Sequence, residues 1–236
     1  MKKVLSTLAL VFLTITISAQ SLIPMKYGIK VGANISNIIS SSNEGVKNID
    51  NSSLVGIVGG FYMEIALNDK WYINPELMFT QKGASFDYEF MHDYELNKGE
   101  RDEHNVKNDL KLAYIVLNPT ISYKTNSKLS LNFGPSVSFL IQSNYTFSET
   151  NTSEIEEHEV LKEGFYTDES FDVGLNFGVS YYLSDNFLID GKVDTGFLSV
   201  GEVKKETNTG SSGNDIEENI FDLKNNGIVF SLAYLF

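Results

Sequence analysis

Eight segments of this chain alternate apolar and polar residues with a period of two, and this alternation limits the fold more than any other feature. Because successive side chains of a β-strand point to opposite faces, each segment is a candidate strand with one apolar face and one polar face. Each is long enough to cross a lipid bilayer, which takes about 9–11 residues of a tilted strand. The predicted strands span residues 26–36, 54–67, 71–86, 111–124, 128–143, 171–183, 187–200 and 226–236.

The two phases of the alternation differ in charge. The apolar phase holds no charged residue and includes large side chains such as Phe61, Leu77, Phe177 and Phe230. The opposite phase is rich in glycines and amides, and its charged members are Lys30, Glu64, Glu76, Lys82, Asp172, Asp190, Lys192 and Asp194. Alternation alone does not decide which phase faces the interior of a closed sheet.

The connections between the segments decide the orientation. Short connections at 68–70, 125–127 and 184–186 alternate with long ones near 37–53, 87–110, 144–170 and 201–225. Aromatic residues gather at the strand ends on the short side: Tyr27, Trp71, Tyr72, Tyr123, Tyr181, Phe187, Tyr234 and Phe236. Both features are typical of outer-membrane proteins. We therefore predict an all-β fold, an eight-stranded antiparallel up-and-down transmembrane β-barrel, with the apolar phase toward lipid and the charged residues in a lumen polar network.

The N-terminus has the pattern of an export signal. Lys2 and Lys3 form a basic start, an uncharged apolar or hydroxylated run follows, and Ala19 is a small residue that suits cleavage. We expect residues 1–19 to be a signal peptide and residues 20–236 to form the barrel domain in the cell outer membrane. No run of about 18 apolar residues follows the signal, so no spanning helix is predicted.

The amino-acid composition limits the classes of partner and cofactor that we expect. A net charge of −13 repels nucleic-acid phosphate, so a nucleic-acid partner is not expected. The chain has no cysteine, which removes disulfides and thiolate chemistry. We expect no catalytic residues, no metal and no cofactor. The expected partners are outer-membrane lipid and proteins that contact the extracellular loops or the periplasmic turns, and the barrel is expected to be a monomer.

The residues that could carry chemistry favour a non-enzymatic role. His92, His104 and His158 all fall in predicted long loops, whereas a Ser-His-acid arrangement needs rigid geometry. The charged residues of the polar phase are interpreted as an internal salt-bridge network, with a narrow conducting path as the alternative. The long loops at 87–110 and 144–170 are strongly acidic, which indicates a solvated surface or, alternatively, divalent-cation binding.

Three functions remain open from the residues alone. The first is a structural or interaction protein with long acidic extracellular loops, and the second is a narrow outer-membrane pore. The third is a soluble exported barrel that binds an apolar ligand, which requires Phe61, Leu77, Phe177 and Phe230 to point inward.

Three prolines, Pro75, Pro119 and Pro135, interrupt predicted strands, so we expect β-bulges or strand ends near them.

Several short stretches carry a resemblance to a known family. They are Tyr27–Asn34, Gly60–Glu64, Asn74–Gly83, Phe133–Pro135, Phe171–Gly174 and the terminal Phe236. Together they resemble the PorT-like outer-membrane β-barrel family of Bacteroidetes over nearly the whole mature chain. The chain departs from the family in its fourth strand, where Val116 and Asn118 stand in place of an acidic residue and a proline. The resemblance implies fold and location, and a role accessory to protein secretion for some relatives.

Overall fold

Ten β-strands make up the protein in a computed structural model that describes residues 24–42, 47–93, 101–151, 162–166, 170–208 and 215–236. Within these ranges no helix is long and apolar enough to cross a membrane. The strands are β1 (Met25–Ser42), β2 (Lys47–Ala66), β3 (Trp71–Asp93), β4 (Arg101–Lys124), β5 (Leu129–Asn151), β6 (Lys162–Tyr166), β7 (Phe171–Tyr182), β8 (Phe187–Gly196), β9 (Gly201–Asn208) and β10 (Asp215–Leu235).

Eight of these strands close into an antiparallel ring in the order β1, β2, β3, β4, β5, β7, β8 and β10. The ring closes where β10 pairs with β1, from Gly28 opposite Leu235 to Ser42 opposite Phe221. A closed sheet pairs its backbone N–H and C=O groups without a free edge, which is the condition for crossing hydrocarbon with strands. The predicted eight-stranded up-and-down barrel is confirmed.

The two remaining strands extend the wall beyond β7 and β8. β8 ends at Gly196, and β9 then takes its place beside β10, beginning at Gly201. Gly201 has a φ of 153°, a backbone conformation that side chains with a Cβ rarely adopt. β6 pairs with β9 on its other side. The predicted strand at 187–200 is therefore wrong in its last four residues, which form a break in the strand.

The outward faces of the strands carry the apolar phase. Along β7 the side chains alternate exposed and buried at every position. Phe61, Phe177 and Phe230 are exposed to 67%, 55% and 55% of their area, and Leu77 also points outward. A soluble barrel with an apolar ligand inside needs these four side chains to point inward, so that alternative is wrong.

The three short turns share one local design. The turns span residues 67–70, 125–128 and 183–186. In each, the polar side chain of the second residue accepts hydrogen bonds from the backbone N–H groups two and three residues later. Asn68 Oδ1 accepts at 3.0 and 3.0 Å, Asn126 Oδ1 at 2.8 and 2.9 Å, and Ser184 Oγ at 3.3 and 3.2 Å. Asn and Ser favour turns because their side chains replace missing backbone partners in this way.

The strands are longer than predicted on the side away from these turns. β3 and β4 pair as far as Asp93 and Arg101, inside the predicted loop at 87–110. β5 likewise continues to Asn151 inside the predicted loop at 144–170, and β10 begins at Asp215 inside the predicted loop at 201–225. Above the lipid, side chains no longer need to alternate, while backbone pairing continues. The alternation therefore marks the membrane-spanning part and misses the rest of each strand.

The prolines lie within the strands without shifting the register, so the predicted bulges at these positions are wrong. The β4–β5 ladder has the same register on both sides of Pro119 and Pro135, and only the pairs around these residues are missing. Pro119 and Pro135 face each other at that register, so two absent N–H donors share one gap in the ladder. Pro75 lies opposite Pro119 on β3.

Aromatic side chains form a girdle at the short-turn rim of the barrel. Ring centroids lie 4.9 Å apart for Trp71 and Tyr123, 5.0 Å for Phe187 and Tyr234, and 5.1 Å for Tyr234 and Phe236. Amphipathic rings are typical at the level of lipid headgroups. Tyr72 differs from this prediction, because the Lys124 ammonium of the barrel mouth lies over its ring.

Candidate functional site

The lumen holds the charged residues singled out in the sequence in a central layer of ion pairs. Lys30 Nζ lies 2.6 Å from Glu76 Oε1 and 3.1 Å from Asp190 Oδ2. Lys192 Nζ lies 2.5 Å from Glu76 Oε2 and 3.5 Å from Asp190 Oδ2. Two lysines and two carboxylates thus alternate around a ring, and all four are buried. Each charge has two opposite charges beside it, which compensates for its removal from water.

A second ion pair lies next to this ring. Lys82 Nζ is 2.5 Å from Asp194 Oδ2, and both side chains are buried. Ser136 Oγ donates to the other carboxylate oxygen of Asp194 at 3.0 Å. The central layer therefore contains three lysines, Lys30, Lys82 and Lys192, and three carboxylates, Glu76, Asp190 and Asp194, so its formal charges cancel.

Neutral side chains complete the hydrogen bonding of the carboxylates. Asp190 Oδ1 accepts from Ser180 Oγ at 2.7 Å and from Asn132 Nδ2 at 3.2 Å. Asn118 Nδ2 donates to Glu76 Oε2 at 3.1 Å. These supporting residues carry no charge, so charge patterning did not single them out, although their polar phase is visible in the sequence.

Glu64 belongs to a separate group at the periplasmic mouth. Its carboxylate accepts a hydrogen bond from the Tyr182 hydroxyl and lies 3.1 Å from Lys124 Nζ. That ammonium also lies 4.8 Å from the centroid of the Tyr182 ring. Beside this group, Leu188 and Leu235 belong to an apolar cluster of buried side chains. Lys124 and Tyr182 could not be singled out from the sequence, because they lie at strand ends, where the alternation gives little information.

Asp172 is also apart from the central layer. Its carboxylate oxygens accept from the backbone N–H of Leu198 and from Asn225 Nδ2, each at 3.2 Å. Asn225 Nδ2 also donates to the Tyr114 hydroxyl at 3.1 Å. Asp172 thus ties the break after β8 to β10. The eight residues predicted to share one network are therefore distributed over three places in the lumen.

An apolar layer fills the lumen on the extracellular side of the ion pairs. It is built from inward-facing side chains that are almost completely buried, namely Val58, Met78, Ala84, Phe86, Leu110, Leu112, Tyr114, Val116, Val200, Leu223 and Val229. Two of them, Leu110 and Leu223, lie in segments predicted as loops, where no inward face was predicted. The charged layer is enclosed between this layer and the periplasmic cluster, which removes it from bulk water.

A small cavity borders the ion pairs. It has a volume of about 30 Å³ and lies among Lys30, Glu76, Thr80, Lys82 and Asn118, at the boundary with the apolar layer. That volume holds one or two water molecules. Thr80 Oγ1 and Asn118 Oδ1 border it and make no hydrogen bond to protein, so both can bind such water.

The described part of the chain holds no cluster of metal-ligating side chains. No group of three or more His, Asp or Glu side chains there could hold a metal ion. His92 and His104 lie on β3 and β4 rather than in loops, which corrects their predicted position, while His158 falls outside the described residues.

A closed ring of eight antiparallel strands with an apolar exterior, an aromatic rim and ion pairs inside defines a transmembrane β-barrel of the outer-membrane type. The family model described as "Outer membrane protein beta-barrel domain" matches residues 18–201. The chain belongs to this family, and it resides in the outer membrane. No curated protein matches the chain.

Solved structures of other outer-membrane proteins resemble the chain at low identity. OprG from Pseudomonas aeruginosa is 14% identical, with 89% of this chain and 95% of that chain covered and a TM-score of 0.44. Ail of Yersinia pestis is 12% identical, with 89% and 98% covered and a TM-score of 0.38. The outer membrane protease OmpT from Escherichia coli is 11% identical, with 90% and 96% covered and a TM-score of 0.39. None of these similarities assigns an activity to this chain.

Proposed function

We propose that the protein is a sealed, non-enzymatic outer-membrane barrel with a structural or interaction role. The observation that carries the proposal is the filled lumen, in which ion pairs lie between two apolar layers and border a cavity of about 30 Å³. A conducting path needs connected water along the barrel axis, and buried apolar layers oppose that connection. The parts of the molecule left for partners are its two ends.

Planar-bilayer recordings test the sealed state. Protein whose folding is verified by a heat-dependent shift in gel mobility is expected to give no current steps above the background of empty bilayers. Discrete steps that disappear after heat denaturation of the same preparation would support the narrow pore and contradict the seal.

Site-specific photo-crosslinking in cells tests the interaction role at each end separately. A photoreactive residue at Thr125 or Ser184 reports on the periplasmic turns, and one at Thr146 reports on the extracellular side; all three positions are exposed. We expect a discrete protein adduct from at least one end and none from Phe177, which faces lipid. Absence of adducts from both ends would leave only a structural role.

The PorT-like resemblance supports the finer part of the proposal, a role accessory to protein secretion. Deleting the gene in its host is expected to reduce the amount of exported protein at the cell surface, and restoring the gene is expected to reverse the loss. Unchanged surface protein would contradict this role.

The proposal also includes a monomeric barrel. Light scattering of the detergent-solubilised protein tests this, because it measures the mass of the protein in each particle.

Export through a signal peptide completes the proposal. Cleavage after Ala19 is expected to give a mature protein that begins at Gln20, and N-terminal sequencing of protein from outer membranes checks this. A mature protein that retains Lys2 and Lys3 would contradict it.

A further inference from the structure

A groove on the outer surface of the barrel lies where the lipid-facing belt ends on the extracellular side. It has a volume of about 530 Å³ and is lined by residues of β2, β3, β4 and β5, among them Val55, Gln81, Lys111, Ala113, Gln142 and Asn144. Val55, Gln81, Lys111, Gln142 and Asn144 are exposed on the outside of the wall, whereas Lys82 and Leu112, which also line the groove, hold strand positions that face the lumen.

The strand register explains why these side chains meet. Ala113 lies opposite Gln81 on one side and opposite Gln142 on the other, which gives one row across three strands. In the next row outward, Lys111 lies between Gly83 and Asn144. Directly opposed residues on one face are close neighbours. The small residue Ala113 lies at the floor, and the lysine and amides form the rim.

Two irregularities in the ladders border the groove and create its polar rim. The β4–β5 register shifts between Ala113 and Tyr114, where Ile141 is the extra residue on β5. A bulge of this kind changes which side chains face outward beyond it. Gln142 and Asn144 consequently stand beside Ala113 and Lys111. A second shift on β2, between Ser53 and Val58, borders the other side of the groove.

The row below the groove is apolar. Phe79 lies opposite Ile115, and Ile115 lies opposite Phe139, so these three outward residues form a platform for acyl chains. A ligand that spans both rows needs a hydrocarbon part below and a polar part above. The amide rim offers donors and acceptors for hydroxyl groups, and the exposed ammonium of Lys111 offers a positive charge for an anion.

We propose that this groove binds the phosphorylated headgroup of a glycolipid in the outer leaflet, with Lys111 at the phosphate and Gln81, Gln142 and Asn144 at the sugar hydroxyls. Asp109 occupies the next outward position on β4 and accepts a hydrogen bond from Ser85 Oγ, which places a carboxylate one row above the site. The phosphate is therefore expected in the Lys111 row, away from Asp109.

Native mass spectrometry of the full-length protein released from phosphatidylcholine nanodiscs tests the site. The probe is a disaccharide lipid carrying one phosphate, compared with the same lipid after enzymatic removal of the phosphate. Lys111→Gln is expected to lower retention of the phosphorylated lipid about fivefold, from the contribution of one lysine near an anionic lipid. The control Lys224→Gln removes another exposed lysine, on β10, and is expected to change nothing.

Three further results separate the alternatives. Ala113→Leu fills the floor without changing charge, and it is expected to lower retention while the heat-dependent gel shift stays normal. Equal retention by the Lys111 and Lys224 variants, or equal retention of the two probe lipids by the wild type, would overturn the proposal. Displacement of the lipid by millimolar inorganic phosphate would also overturn it, because the groove would then be a site for free anions.

Discussion

Lys192 on β8 and Glu76 on β3 form an ion pair across the full width of the barrel, with Nζ 2.5 Å from Oε2. In a ring of eight strands, β3 and β8 are four strands apart and therefore belong to opposite walls. Lys82 and Asp194 join the same two strands, also at 2.5 Å. These two links cross the lumen and pair buried charges from opposite walls.

Removing the shared carboxylate is expected to destabilise the barrel strongly. Glu76→Gln leaves Lys30 and Lys192 without one of their two acidic partners, and an uncompensated buried charge costs about 3–5 kcal/mol. The midpoint of urea-induced unfolding in lipid vesicles is expected to fall accordingly. Asp69→Asn in an exposed turn is the matched control and is expected to behave as the wild type. Equal midpoints for the two variants would show that the ion-pair ring contributes nothing.

The pair that spans the lumen beside the ring is expected to show strong coupling in a double-mutant cycle. Lys82→Met and Asp194→Asn each leave one charge of a buried pair unpaired, whereas the double variant removes both charges. The double variant is therefore expected to lose less stability than the sum of the single variants, by about 1–3 kcal/mol. Additive losses would mean that the two side chains do not interact in the folded barrel.

Closure of the ring between β1 and β10 is expected to depend on Gly32. A Cβ at this position would lie 2.0 Å from the carbonyl oxygen of Phe230, whereas a Cβ at Gly59 would meet nothing closer than 3.7 Å. Gly32→Ala is expected to slow refolding into vesicles and to lower stability by about 1–3 kcal/mol, the usual cost of overpacking. Gly59→Ala provides the comparison, and a similar loss there would remove the steric explanation.

The single tryptophan reports directly on the aromatic girdle. Trp71 is exposed at the periplasmic rim and packs against Tyr123. Its fluorescence is expected to be quenched most by lipids brominated near the headgroup and least by lipids brominated near the chain ends. The opposite order would place this rim at the bilayer centre and would exclude the proposed depth of the barrel.

The sequence specified the membrane-spanning part of the fold because lipid on one face and a packed lumen on the other force a strict period of two. Ile29 and Lys30 illustrate this, since one is exposed and its neighbour is buried in an ion pair. The turns were also predictable, because Asn68 and its equivalents are typical turn residues. Beyond the lipid this constraint ends, and the outer parts of β3, β4, β5 and β10 lie in segments predicted as loops.

The partners of the lumen charges could not be predicted from the sequence. Nothing in the alternation shows that Lys192 reaches Glu76 rather than Asp194 on its own strand, because that choice depends on ring order, strand tilt and side-chain length. Part of the apolar layer could not be predicted for a related reason. Leu110 and Leu223 face inward above the belt, in segments predicted as loops, whereas Val58 and Val116 stand on the polar phase of the alternation.

The orientation of the side chains, apolar toward lipid and polar toward the axis, is tested most directly by moving the tryptophan. In a Trp71→Phe background, Phe177→Trp places the fluorophore at an exposed position, and Tyr114→Trp places it at a buried lumen position. Lipids brominated along their chains are expected to quench the fluorophore at position 177 strongly and that at position 114 weakly. Strong quenching at position 114 together with weak quenching at position 177 would contradict the account.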